Sequence, residues 1–236
     1  MGSEMCIRDS TSAVPGEGKS FIATNLARAF GVDPVNKVLL VDCDLRRPRI
    51  HNYLNLAEGP GLSDVLVAKH PITTVIRPGE RGVDVITAGN PVSDPTRAIE
   101  QPMFAALLHE LKKRYRYIIL DCPPVLLCPE PITITTIAEG TVLVARAWQT
   151  EKKLVRDAFD VIGHNKIIGI VLNQGHEASK EYQYYGYYGH DRLSKHEELR
   201  KKGITDKSLD LGEKIGDRSV SLGKNLASKI LKKDKK

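Results

Sequence analysis

No apolar run in these 236 residues approaches the ~18–20 positions needed to cross a bilayer, so no spanning helix is encoded. The four cysteines, Cys6, Cys43, Cys122 and Cys128, have no CxxC spacing. Cys43 and Cys122 fall at apparent strand ends and read as buried thiols, and a reducing, cytosolic location is expected. Most of the chain also lacks net charge: residues 1–189 hold 21 Lys/Arg and 21 Asp/Glu, and the whole +6 comes from residues 190–236. Cationic character therefore belongs to a tail, which reads as a solvated extension or as a peripheral contact for an anionic surface. No nucleic-acid partner is expected. Aromatic residues are scarce, at 6%, yet five of the eight tyrosines fall within seven positions of "EYQYYGYYG": Tyr182, Tyr184, Tyr185, Tyr187 and Tyr188.

What is present is an alternation of two patterns. Short, almost continuously apolar runs recur at 37–42, 83–89, 117–121, 141–147 and 167–173, as expected of strands buried on both faces. Helical patterns lie between them. In "KSFIATNLARAF", Ile22, Leu26, Ala29 and Phe30 share one face. Residues 103–115 read as a second helix, and 150–163 as a third with Thr150 as N-cap and Gly163 as its C-terminal stop. The expected fold class is α/β: a doubly wound, mainly parallel sheet flanked by helices.

The expected organisation has four parts. Residues 1–10, "MGSEMCIRDS", form a poor strand and read as non-native sequence outside the fold. Residues 11–175 form the globular domain, 176–190 the tyrosine cluster, and 191–236 a basic tail with one weak amphipathic helix through Leu222, Leu226 and Ile230.

"SAVPGEGKS" (12–20) has the form of a phosphate-binding loop, with Ala13 where the first glycine would stand. Gly16 and Gly18 let the backbone curl so that successive N–H groups face a polyanion, and the following helix adds its free N-terminus. Lys19 is placed to reach the β- and γ-phosphates and Ser20 to ligate Mg²⁺. Two apolar runs end in acid: "VLLVDCD" at Asp42 and Asp44, "YIILDCPP" at Asp121. In an open parallel sheet ligands sit beyond the carboxyl ends of the strands, so all three carboxylates belong near the phosphates.

A "GEGKS" loop followed by "VDCDLRRP" (41–48), "GLSDVL" (61–66), "ILDCPP" (119–124) and the tyrosine cluster resembles the cytoplasmic domain of bacterial tyrosine kinases, the capsular and exopolysaccharide autokinases. The resemblance covers residues 11–189. It implies ATP·Mg²⁺-dependent phosphorylation of the chain's own tyrosine cluster, between neighbouring subunits of a ring, in control of capsule or exopolysaccharide synthesis and export. On this resemblance ATP contacts come from Pro15, Gly16, Glu17, Gly18, Lys19, Ser20 and Phe21, with Asn173 against adenine. Lys19 stabilises the transferring phosphoryl group, Mg²⁺ is held by Ser20, Asp42 and Asp121, and Asp42 or Asp44 accepts the tyrosine proton. Arg46 and Arg47 are either phosphate contacts or surface residues. The implied partners are a membrane activator or polysaccharide chain-length protein and a cognate tyrosine phosphatase, at the inner face of the cell membrane. The family's ExxRxxR assembly segment, which precedes the loop, is absent from residues 1–10, and Glu130 stands where relatives often show Asp.

The rival on the same scaffold is a partition- or division-site-type ATPase, a nucleotide switch without kinase activity. Its loop carries a signature lysine, in GKGGxGK[ST]. Aligned on Gly18-Lys19-Ser20, Val14 occupies that lysine position and Pro15 the next glycine, which favours the kinase. A catalytically weak adaptor is disfavoured by the intact lysine and the three carboxylates.

Overall fold

The computed structural model describes residues 6–175. The tyrosine cluster and the basic tail lie outside the described residues. Seven strands form one sheet in the order β3-β4-β2-β5-β1-β6-β7. Their ranges are β1 Cys6–Ser12, β2 Val38–Asp42, β3 Arg77–Pro78, β4 Val83–Ile86, β5 Tyr117–Asp121, β6 Gly140–Arg146 and β7 Ile167–Asn173. Every pairing is parallel except that of the two-residue β3 with β4. Helices α1 (Lys19–Phe30), α2 (Ile50–Leu54), α3 (Leu62–Leu66), α4 (Pro95–Glu100), α5 (Pro102–Lys112), α6 (Glu130–Ile137) and α7 (Lys152–Ile162) fill the connections.

The period-two rule assigns the faces. Val38 and Leu40 of β2, with Val83, Val85 and Ile119, pack under Ala23 and Ala27 of α1. Phe30 at the end of α1 stacks on Tyr117, ring centroids 4.4 Å apart. Leu39, Val41, Ile118 and Leu120 point the other way, into a core closed by Leu62 of α3, Ile99 of α4, Phe104 and Leu108 of α5, and Ile134 of α6. Helices thus cover both faces of a largely parallel sheet. Among the described residues no helix is long and apolar enough to cross a membrane.

Three sequence expectations are corrected. The boundary expected at residue 11 falls inside β1, and Cys6–Ser12 is an interior strand hydrogen-bonded to β5 on one side and β6 on the other. Pairing on both edges overrides its weak strand composition. Ile7 joins the core, but Arg8 and Asp9 are buried with it. Asp9 accepts a 2.6 Å bond from the Thr141 hydroxyl, and Arg8 lies 3.7 Å from Glu139. β7, expected to be buried on both faces, is the sheet edge, with Ile170 and Leu172 exposed. Thr150 does not cap α7; Glu151 occupies that position, and the Thr150 hydroxyl is used elsewhere. Gly163 does end the helix, at φ 90°.

Candidate active site

The parallel strands bring "SAVPGEGKS" to the carboxyl edge of the sheet, between β1 and α1. Gly16 and Gly18 hold positive φ, 82° and 89°. A Cβ on Gly18 would fall 2.0 Å from Asn173 Nδ2, so that position has room only for glycine. The first turn of α1 carries no acidic residue and no side-chain cap, which leaves its N–H groups and the positive end of its dipole for an anion.

A cavity of about 810 Å³ opens over this loop. One side is Pro15, Gly16, Gly18, Lys19 and Ser20; around it stand Asp44, Arg46, Arg47, Arg49, Tyr53, Pro123, Pro124, Leu127, Cys128 and Gln174. Lys19 Nζ lies 3.3 Å from Asp44 Oδ2. Phe21, half exposed, meets Tyr53 edge to face at 6.5 Å.

Asp42 and Asp44 are used differently. Asp44 Oδ1 accepts the Arg47 amide at 3.0 Å, and its other oxygen faces Lys19. Asp42 spends both oxygens on its own loop: Oδ1 accepts from the Asp44 amide, and Oδ2 from the amides of Arg49 and Ile50, at 3.1–3.2 Å. It is fully buried and does not line the cavity. A Mg²⁺ contact from Asp42, as the resemblance implies, would have to share oxygens that already accept these loop amides.

Asp121 is the register partner of Asp42 on the adjacent strand. Burial, then the neighbouring Asp42 charge, pushes its carboxyl well up from the ordinary carboxylate range. Burial likewise pushes Asp42 up to about 7 against the bonds from its loop amides. Both oxygens of Asp121 are buried without a hydrogen bond of regular geometry, although the Ser20 hydroxyl is their neighbour. A hydroxyl and an orphaned carboxylate side by side form an oxygen donor set that suits Mg²⁺, which is commonly held by one or two protein oxygens and by phosphate. Among the described residues no cluster of three His, Cys, Asp or Glu side chains offers a self-contained metal cage.

Some of the surroundings were not legible in the sequence. Arg46 is clasped by Glu130 (Nε to Oε1, 2.8 Å) and by Thr96 (Nη2 to Oγ1, 3.0 Å). No local pattern joins positions 84 apart. Glu17, expected among the ATP contacts, is buried and turned away from the cavity, and Asn173 reaches the Glu17 carbonyl at 2.9 Å. Cys43 and Cys122 are buried free thiols, as expected, and Cys128 is half-buried at the cavity wall.

No family model matches the chain. It is 35% identical over 182 residues to the tyrosine-protein kinase YwqD of Bacillus subtilis (strain 168), covering 76% of each chain. It is 30% identical over 184 residues to the putative tyrosine-protein kinase CapB of Staphylococcus aureus, covering 77% of this chain and 80% of CapB. The tyrosine-protein kinase Ptk of Acinetobacter johnsonii is 35% identical over 71% of this chain, which spans only 23% of that longer protein. Among solved structures, the kinase domain of the Escherichia coli tyrosine kinase ETK superposes with a TM-score of 0.69 at 30% identity, over 76% of this chain and 72% of that one. The septum site-determining protein MinD from Pyrococcus horikoshii OT3, complexed with Mg-ADP, superposes at 0.62 with 22% identity over 74% and 72% of the two chains, a likeness of fold alone. With YwqD matched over three quarters of its length, the chain belongs to the bacterial tyrosine-protein kinase family.

Proposed function

We propose that the chain is an ATP·Mg²⁺-dependent protein-tyrosine autokinase whose substrate is its own cluster at Tyr182–Tyr188. The observation that carries this reading is the Lys19–Asp44 pair on the wall of the cavity. A tyrosine hydroxyl, with an ordinary pKa of about 10, is a weak nucleophile at neutral pH. The reaction needs a carboxylate to take its proton and a cation to meet charge on the phosphoryl group, held together. Asp44 Oδ2 and Lys19 Nζ supply that combination in a shared space. Asp42, fixed by its three amides, shapes the loop that presents Asp44.

Ser20 and Asp121 would hold Mg²⁺, which supplies charge neutralisation on the phosphates. The loop amides and the α1 N-terminus cradle the phosphates. Asn173 donates its Nδ2 to Glu17, leaving Oδ1 as an acceptor for the exocyclic amine of adenine. Arg46, held by Glu130 and Thr96, brings its guanidinium charge to the cavity wall, where it can meet phosphate.

By analogy with relatives, the native protein acts in capsule or exopolysaccharide synthesis and export, as a ring at the inner face of the cell membrane. Its partners there are a membrane activator or chain-length protein and a cognate phosphatase, and the basic tail adds an electrostatic contact with anionic lipid. The test of the core reading is incubation with ATP and Mg²⁺, followed by phosphosite mapping. Phosphotyrosine in wild type, absent in Lys19→Met, is the expected result. ATP turnover without phosphotyrosine would move the partition-type switch ahead.

A further inference from the structure

Glu17 sits in the middle of the glycine-rich loop, yet its side chain is only 2% exposed and faces the protein. Oε2 accepts the Val14 amide at 2.8 Å, which closes the loop on itself. Oε1 accepts the Arg146 amide at 3.3 Å and the Thr150 hydroxyl. The main-chain oxygen of Glu17 accepts Asn173 Nδ2 at 2.9 Å. Asn173 is tied in turn to the same region, because its carbonyl accepts the Ala147 amide at 2.8 Å. The Arg146 amide also reaches Thr150 Oγ1, at 2.9 Å. One residue of the loop thus joins the turn between β6 and α7 to the last residue of β7, through partners 129 to 156 positions away.

Lys19 and Ser20 lie two and three positions after Glu17, across Gly18, at the phosphate end of the site. Asn173, on the proposal above, stands at the base end. We infer that Glu17 is a positioning residue that, through Thr150 and Asn173, holds the phosphate and base ends of the nucleotide site in a single register. This rests on the nucleotide-site reading and adds a role for two residues, Glu17 and Thr150, that touch no nucleotide with their side chains. The physical consequence is a chelate effect. Two contacts on one rigid frame reinforce each other, because the second is made at high effective concentration; on parts that move separately the advantage falls. A ligand with phosphates alone uses one end and gains nothing from the frame.

Thr150 allows a clean test because it lies outside the loop and leaves the Val14–Glu17 bond intact. Thr150→Val keeps the shape and removes the hydroxyl; Thr150→Ser keeps the hydroxyl. Calorimetric titration of each chain with Mg·ADP and with Mg·pyrophosphate separates the two ends, and circular dichroism confirms folding. The expected result for Thr150→Val is Mg·ADP binding weakened by about 10-fold with Mg·pyrophosphate within about 2-fold of wild type, and Thr150→Ser restores Mg·ADP. Unchanged Mg·ADP binding, equal weakening of both ligands, or failure of serine to rescue overturns the inference. A wild-type chain that binds neither ligand instead overturns the nucleotide reading beneath it.

Discussion

Lys19 Nζ and Asp44 Oδ2 stand 3.3 Å apart on the wall of the cavity, whereas both oxygens of Asp42, two residues from Asp44, accept amides of its own loop. The two acids of "VDCD" therefore differ in what their loss does. Asp44→Asn is expected to cut phosphoryl transfer on the order of 10²-fold or more, with a smaller stability loss than Asp42→Asn because one loop amide rather than three depends on it. Asp42→Asn trades an acceptor for an amide that faces backbone N–H groups, so stability falls as well, by about 1–3 kcal/mol. Urea unfolding beside a phosphotyrosine assay checks both. Equal stability losses in the two variants would contradict the division.

Glu130 is almost completely buried, and its Oε2 has no hydrogen-bond partner among the described residues. Arg46 supplies its charge partner at 2.8 Å. Removing one member of such a pair strands the other. Arg46→Ala is expected to cost about 1–3 kcal/mol in urea unfolding, with part of the loss recovered in Arg46→Ala/Glu130→Gln. Additive losses in the double variant would show that the clasp is energetically idle.

The buried acid of β1 gives stability a pH dependence. Burial pushes the Asp9 carboxyl up to about 7, against the Thr141 hydrogen bond and the charges of Lys166 and Arg8. Its ordinary value in an unfolded chain is about 3.9, so between those limits the folded state binds the extra proton. The stability linked to Asp9 is present in full below about pH 4 and is lost as pH rises through about 7. Asp42, also pushed up to about 7, adds a slope of the same sign. Asp9→Asn keeps the acceptor for Thr141 and should flatten the fall in melting temperature between about pH 4 and 7. A mutant profile parallel to wild type would remove Asp9 as a source of the slope.

Most of the sheet was legible because buried parallel strands are nearly continuous apolar runs. "YIILD" matches β5 residue for residue and α1 matches "KSFIATNLARAF"; "IIGIVLN" matches the bounds of β7, but its apolar run did not reveal that the strand is a half-exposed edge. β1 was not legible: an interior strand reading Cys-Ile-Arg-Asp-Ser-Thr-Ser has no run of apolar or β-branched residues to announce it, and only its two neighbours define it. In the site, loop glycines, lysine and strand-end acids were legible because their spacing is local. The direction of each carboxylate was not, since it depends on amides brought in by the turn after β2. The Arg46–Glu130–Thr96 clasp and the Glu17–Thr150 bond join distant positions, and no sequence period encodes them.

The central claim is that this site transfers phosphate to the chain's own tyrosine cluster, and a mixed-chain experiment tests it most directly. A Lys19→Met chain, unable to use ATP, serves as acceptor. A chain with Tyr182, Tyr184, Tyr185, Tyr187 and Tyr188 changed to Phe serves as donor. With ATP and Mg²⁺ present, the account predicts phosphate on the acceptor at one or more of those five positions, and none when donor or ATP is omitted. Phosphate confined to Tyr53, Tyr115 or Tyr117, or no phosphotyrosine at all while the donor consumes ATP, would contradict it.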